Sequence, residues 1–463
     1  GSGWAVLWES VEPTLRTCLS DRLPTDADAG CTVEWARMDD PLSSGAGRRT
    51  TRRLTTFDAL SDPTFRRLFA LGWAYYTYRA VELAVLSWFV LTFTDSALAV
   101  ALVGVSRIAP MFMFGLLAGS FADRFARIRM IRLGQGMNLA ASTTLLVLLV
   151  SGLAEAWHAY AAILVTGTTW AIDYAARRAL LGDVFQGPAL TNATALDSGL
   201  VTGSNFLGPL VGTVLIRVGG FASAYAGIVL LTVAGLALAL SMKVSARQPR
   251  AADGTSPGRQ VRDAMLLVRG NRALLATVLL TAVFNFFGWP FMQIVPVISR
   301  DILGASEVGY GMLVSALGLG ALCGSVAIAT VRPSRQGSVF SLGAMLIMAS
   351  AGAFAWAPMY SIALACMFIG GLGLSGFAVM QPVIPLGAVA SELRGRAMGA
   401  VVLAIGAQAP GMLVMGALAE VIGPRESVSG MAVIGVLILV WLRLRYPVLR
   451  DIPDRPIQPI LRS

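Results

Sequence analysis

The sequence predicts an all-α membrane protein, with twelve transmembrane helices arranged as two pseudo-symmetric six-helix bundles. Three observations lead there: apolar runs recur along the chain, the loops between them are basic in alternation, and small-residue patterns repeat at a near-constant offset. Of 463 residues, 56% are hydrophobic and 13% charged, with a mean hydropathy of +0.70. That balance leaves too little charge to cover a water-facing surface. Hydrocarbon about 30 Å thick requires apolar helices of roughly 20 residues, because no backbone polar group can be left unpaired there.

Residues 1–58 form a polar, irregular tail in which no cleavable signal peptide is evident, and Met38 reads as an alternative start. The first bundle occupies 59–243, with spans near 69–93, 97–121, 130–153, 157–180, 192–218 and 221–242. Residues 244–271 are read as a cytoplasmic linker, because they hold the longest polar interruption between helices. The second bundle, 272–447, has spans near 273–298, 307–330, 338–357, 360–386, 397–422 and 428–446, and a tail of 448–463 follows. Orientation comes from the loops, since Lys and Arg close to span ends are retained on the cytoplasmic side. One side carries Arg66, Arg67, Arg124, Arg127, Arg129, Arg132, Arg177, Arg178, Arg332, Arg335, Arg394, Arg396, Arg443, Arg445 and Arg450, while the other has only Arg217, Arg300 and Arg425. A multi-pass protein of the cell inner membrane with both termini in the cytoplasm is therefore expected.

The halves look related. Gly115, Leu117, Gly119, Ser120 and Ala122 recur as Gly320, Leu322, Gly324, Ser325 and Ala327, at an offset of 205 residues. Gly212 and Gly219 recur as Gly416 and Gly423, at an offset of 204. Small residues let helix backbones pack closely, and two related halves place a site between them at the membrane midplane.

Several function classes fall away. The net charge of +10 is spread over short loops rather than gathered on a patch, so no nucleic-acid partner is expected. Cys18, Cys31, Cys323 and Cys366 form no C-x-x-C pair and read as free thiols, with no metal site. No nucleotide loop, H-E-x-x-H or nucleophile elbow is present, so neither an enzyme nor a cofactor is expected. The lone His158 falls in an outer loop. The charges cluster in one half, whereas a channel needs a continuous polar lining.

Charge inside the spans is the sharpest functional signal, since an ionisable side chain at a helix centre costs at least about 2.5–3.5 kcal/mol. Arg79 and Glu82 lie in the first span, Arg107 in the second, Asp173 and Arg177 in the fourth and Asp197 in the fifth. Spans 3, 6, 9 and 12 carry none in their interiors, as expected if they face lipid while the other eight surround a cavity. Tyr75, Tyr78, Arg79 and Glu82 share one helical face, expected to look into that cavity, and Arg79 and Glu82 can alternatively pair with each other. Trp170, Asp173 and Arg177 share another, where the aspartate can stay paired until a conformational change separates it. Asp197 is placed near a helix start, where the macrodipole favours a carboxylate. The second half offers uncharged cavity candidates: Asn285, Trp289 and Gln293 on one face, with Gln381 and Gln408.

After the second span the chain reads GSFADRFARIRMIR, which resembles the G-x-L-A-D-R-x-G-R-K signature of the major facilitator superfamily. Gly119, Asp123, Arg124 and Arg127 match, while Ala126 and Ile128 depart from the pattern. The resemblance implies a cytoplasmic latch formed by these residues. SNFLGPLVGT in the fifth span is similar to the G-x-x-x-G-P-x-x-G-G motif of export-type members through Gly208, Pro209 and Gly212, with Ser204 and Thr213 in place of outer glycines. AIDYAARRALLGDVFQGPALTNATALDSG is similar to the branch of enterobactin and macrolide exporters. The helix 4 R-x-x-Q-G motif of better-known drug antiporters is absent. About residues 60–447 share the resemblance.

The combined expectation is a monomeric, proton-coupled exporter of amphiphilic small molecules, drug-like or siderophore-like. It would work by alternating access, with the proton gradient as its energy source and lipid, substrate and protons as its partners. Arg79, Glu82, Arg107, Asp173, Arg177 and Asp197 are the coupling candidates, and Tyr75, Tyr78 and Trp170 join the cavity set. An importer or lysophospholipid transporter of the same fold is the alternative, and a non-transporting membrane sensor is the reading from another class.

Overall fold

A computed structural model of the chain describes residues 62–122, 127–185, 187–242, 257–331, 333–390 and 393–450. Among these residues the regular structure is entirely helical. Asp62 starts α1 (Pro63–Thr94): its carboxylate accepts from the Thr64 N–H at 2.7 Å and the Phe65 N–H at 3.0 Å, and Pro63 needs no donor at the first position. Asp95, in the left-handed region, ends it. Next come α2 (Ala97–Ala122), α3 (Arg127–Val150), α4 (Ala156–Val184) and α5 (Gly187–Ser241). Glu155 and His158 exchange capping hydrogen bonds at the start of α4. α5 is two helices in sequence, broken where Gly219 and Gly220 leave helical geometry, Gly220 at φ +72°.

The expected linker is partly helical. α6 (Pro257–Gly270) buries Ala264 and Val268 against Leu274, Ala397 and Ala400, an apolar stripe within an otherwise polar segment. α7 (Arg272–Val283) is capped by Asn271, whose amide also donates to the Ala388 carbonyl at 2.8 Å. The span expected over 273–298 does not continue as one α-helix. A π-helical turn (Phe284–Gly288), a 3-10 turn (Trp289–Gln293), one α turn (Val295–Val297) and a second π-helical turn (Ile298–Ile302) follow, with Pro290 and Pro296 removing the N–H groups a regular ladder needs. α8 (Glu307–Val331), α9 (Gln336–Ala355) and α10 (Tyr360–Ala388) are continuous. The span expected over 397–422 is interrupted between α11 (Arg394–Ile405) and α12 (Gln408–Ile422), and α13 (Pro424–Arg445) begins after Gly423 at φ +99°. The repeat partners Gly219 and Gly423 thus both mark helix breaks.

Eight stretches of the described residues are long and apolar enough to cross a membrane: Arg127–Val150, Leu196–Ser241, Arg272–Ile302, Glu307–Val331, Gln336–Ala355, Tyr360–Ala388, Arg394–Ile422 and Pro424–Arg445. α1 and α4, which hold buried charges, are not among them. Large apolar side chains stand exposed along α3, the second arm of α5, α9 and α13, including Leu133, Leu230, Leu342 and Leu437. Lipid would cover such surface.

Helices before residue 243 meet those after 256 chiefly through α2 with α12 and α5 with α8. Glycine sets these approaches. A Cβ on Gly318 would lie 2.7 Å from the Phe206 Cα, and one on Gly416 would lie 2.5 Å from the Ala101 Cβ. Polar contacts tie the same groups of helices together at the end away from Asp62 and Arg445. Arg300 pairs with Asp95 and donates to the Leu91 carbonyl, Glu420 accepts from Ser96 and from the Leu98 N–H, and Arg217 lies 3.7 Å from Glu307. Trp88 stacks on Tyr310 one layer deeper, with centroids 5.6 Å apart. Within the second group, Phe284 and Phe340 both stack on Phe377.

Gly208 on α5 faces α1 so closely that an added Cβ would lie 2.5 Å from the Ala80 Cβ, whereas one on Gly199 would meet nothing within 4 Å. Gly208→Ala should therefore lower stability in detergent by about 1–3 kcal/mol through overpacking, and Gly199→Ala should leave it within about 0.5 kcal/mol or raise it. Thermal unfolding of the two variants side by side checks this.

Candidate functional site

The shared face of Tyr75, Tyr78, Arg79 and Glu82 is turned into packed helices rather than open space. Tyr78 is fully buried, Glu82 is 1% exposed and Arg79 6%. The Arg79 guanidinium lies 4.5 Å over the Trp170 ring of α4 and 5.6 Å over the Tyr75 ring. The alternative pairing of Arg79 with Glu82 does not form; among the described residues no ion pair joins them. Side chains lean toward the start of their helix, so Arg79 is carried back toward Tyr75 and away from Glu82, and the Trp170 π-face holds it there. From α2, the half-buried Arg107 donates to the Arg79 carbonyl at 3.1 Å. Gly167 permits this crowding, since a Cβ there would run into the Arg107 carbonyl oxygen.

One to two turns nearer the start of α1 lies a second group. Arg177, 1% exposed, pairs with Asp173 at 3.0 Å, donates to the Leu68 carbonyl at 3.1 Å and approaches Asp197 to 3.9 Å. The Tyr76 hydroxyl donates to the other oxygen of Asp197 at 3.2 Å, and the guanidinium sits 5.4 Å over the Tyr76 ring. Gly72 leaves the necessary room, because a Cβ there would lie 2.9 Å from the Arg177 Nη1. Asp197 is not at a helix start: α5 begins at Gly187, and the carboxylate lies nearly three turns inside it beside a guanidinium. The macrodipole falls off within the first turn, so Arg177 and Tyr76 hold this aspartate instead.

Sequence reasoning missed a third set. Gln135, Asn138 and Ser142 on α3 are buried, and Thr169 donates to the Asn138 carbonyl oxygen at 2.6 Å. Tyr225, from the second arm of α5, is buried as well. Their spacing of i, i+3 and i+7 in an apolar helix was the available signal. Among the described residues, Glu82 Oε1, Asn138 Nδ2, Ser142 Oγ, Tyr225 Oη, Tyr78 Oη and Asp173 Oδ1 have no hydrogen-bond partner. Buried polar atoms in that condition are uncommon and mark positions where a further polar partner can bind.

The second-half candidates are not brought together. Asn285 donates to the Thr281 carbonyl of its own helix at 2.8 Å. Trp289 lies beside Phe284, and Gln293 packs across the chain's two groups of helices, where a Cβ on Gly104 would be 2.6 Å from its Cδ. The π and 3-10 turns replace the regular helix on which these three positions would share one face. Gln381 is half-buried on α10 and Gln408 opens α12. Gly208 and Gly212 form the close seam of α5 on α1, the latter with a Cβ position 3.0 Å from the Val81 Cγ1, whereas the Pro209 carbonyl faces Gly311 of α8. Of the latch residues, Asp123 and Arg124 lie outside the described residues; Gly119 is within α2 and Arg127 opens α3.

The profile of a family described as transmembrane secretion effector, a branch of the major facilitator superfamily, matches residues 54–457. The chain belongs to that family. Its family is one of membrane transporters rather than enzymes. A staphyloferrin A transporter of Staphylococcus aureus is 25% identical over 241 residues, a stretch covering 50% of this chain and 59% of that protein. Less than two thirds of that relative is therefore spanned. Among solved structures, a bacterial homologue of the human lysosomal transporter Spinster superposes with a TM-score of 0.66 at 14% identity, covering 84% of this chain and 98% of the other. A POT family transporter superposes at 0.67 and 10% identity, covering 83% and 96%. At such identities the likeness establishes the fold alone, and it is a major facilitator fold.

Arg177 is the common partner of two aspartates, so Arg177→Leu should destabilise the protein by about 3–5 kcal/mol by leaving buried carboxylates uncompensated. The double variant with Asp173→Leu should recover part of that loss. Detergent-solubilised melting curves of the single and double variants test the coupling.

Proposed function

We propose that this transporter exports amphiphilic small molecules, drug-like or siderophore-like, in exchange for protons. Twelve crossings divide into two six-helix halves, with both termini on the cytoplasmic side of the cell inner membrane and the monomer as the working unit. The observation that carries the reading is the gathering of Arg79, Glu82, Arg107, Asp173, Arg177 and Asp197 inside the first half, with buried oxygens of Glu82 and Asp173 left without a hydrogen-bond partner. Intramembrane carboxylates in such surroundings are suited to taking up and releasing a proton as helices move. The family description and the Gly208-Pro209 and Gly212 positions of α5, whose two glycines seat on α1, support the outward direction.

In this reading the contacts of Arg300 with Asp95, Glu420 with Ser96, and Trp88 with Tyr310 close the outer side, so the conformation is inward-facing. Rocking of the halves would break them and open the outer side. Arg300→Ala should then raise labelling of an introduced Ser87→Cys by an impermeant maleimide added outside, by several-fold over the same cysteine with Arg300 intact, with the native cysteines replaced by serine. Equal labelling would show that the Arg300 contacts do not close the outer side.

Coupling is tested in proteoliposomes with an imposed pH gradient and fluorescent amphiphiles of either charge. Flux should follow the gradient in the wild type and fall at least ten-fold in Glu82→Gln or Asp173→Asn. Undiminished gradient-driven flux in both variants would remove these carboxylates from coupling, and flux in the same direction as the protons would turn the reading to import.

A further inference from the structure

We infer, on the basis of the exporter reading, that the cargo is an anion: a carboxylate-bearing amphiphile whose charged end is bound by Arg107, with Arg79 behind it. Four arginines of the described residues make the contrast. Arg177 is held by Asp173 and Asp197, and Arg300 by Asp95 and Asp301. Each of these has two carboxylates within 4 Å. Arg79 and Arg107 have none within that distance among the described residues; the six charges of this region balance, Arg79, Arg107 and Arg177 against Glu82, Asp173 and Asp197, but both aspartates are held at Arg177.

This pair of guanidinium groups sits deep. Arg107 is ten residues into α2, about 15 Å along the axis from its distal end, close to the middle of a hydrocarbon layer about 30 Å thick. A positive charge there is costly unless something of opposite sign visits it. A guanidinium with no carboxylate in contact repels cations and gains little from a neutral ligand, whereas a carboxylate accepts two parallel N–H bonds from it.

The position suits a ligand approaching from between the halves. Gly104, one turn from Arg107, is pressed against Gln293 and Met412 of the second half, which places Arg107 immediately beneath the contact that closes the distal end. Arg107 retains exposed surface, unlike Arg177. The half-buried Trp170, whose ring carries Arg79, supplies an aromatic wall for the apolar part of an amphiphile. Outward movement of an anion is also favoured by a membrane potential negative inside.

The test uses the full chain in nanodiscs and three probes sharing one fluorophore: dansylglycine, its methyl ester and the cationic dansylcadaverine. Fluorescence anisotropy in zwitterionic lipid should show dansylglycine binding at least about ten-fold more tightly than either of the others, as a charge-assisted bidentate contact would give. Arg107→Gln should collapse the carboxylate-to-ester ratio to less than about three-fold, and Arg107→Lys should restore part of it, separating recognition from a folding defect. Equal affinities in the wild type, no binding of dansylglycine, or a ratio unchanged in Arg107→Gln overturns the inference. Loss of the preference in discs containing phosphatidylglycerol would reassign the site to a lipid headgroup and also overturn it. Carboxylate-selective binding without flux in proteoliposomes would sink the exporter reading while leaving the anion site standing; flux of all three probes alike would do the reverse.

Discussion

An ionised side chain packed away from water is costly without a partner of opposite charge, and in this chain Arg177 answers that need for two carboxylates at once. It joins α4 to α5 through Asp197 and both to α1 through the Leu68 carbonyl. Gly72 on α1 leaves the space the guanidinium occupies, and Tyr75 and Tyr76 cover it with aromatic rings. The relative positions of three helices are thus set around one side chain. Arg79 and Trp170 then fall into contact on the next layer, where Tyr75 is shared between both guanidinium groups.

Close approach of backbones is the second constraint, and glycine supplies it where driving force from water is absent. Gly208 and Gly212 bring α5 onto α1, Gly167 brings α4 onto α2, and Gly318 and Gly416 join helices from the two ends of the sequence. In lipid such packing depends on van der Waals contact, so a missing Cβ at each crossing matters more than apolar area. The polar contacts of Arg300, Glu420 and Arg217 are different in kind. They lie toward helix ends, where partners can be exchanged with water.

Much of the arrangement was legible from residues in order. The spans expected near 97–121, 130–153 and 307–330 match α2, α3 and α8 within a few residues, because apolar length is a local property. The break between 218 and 221 was marked by two glycines. The π and 3-10 turns over 284–293 and the interruption near 406 were not, since these depend on how neighbouring helices accommodate the backbone groups freed by proline. Residues 257–270 read as linker because they are polar, although Ala264 and Val268 sit one turn apart and find a buried seat.

Composition, loop charge and the spacing of ionisable residues by themselves determined that the chain crosses a membrane repeatedly and that its first half holds the charge. These follow from the cost of placing polar groups in hydrocarbon, which every span bears alone. Which charges pair was decided only by the tertiary structure. Arg79 turned to Trp170 instead of Glu82, and Asp197 met Arg177 instead of a helix end. A side chain chooses among neighbours delivered by other helices, and no single helix's periodicity contains that choice.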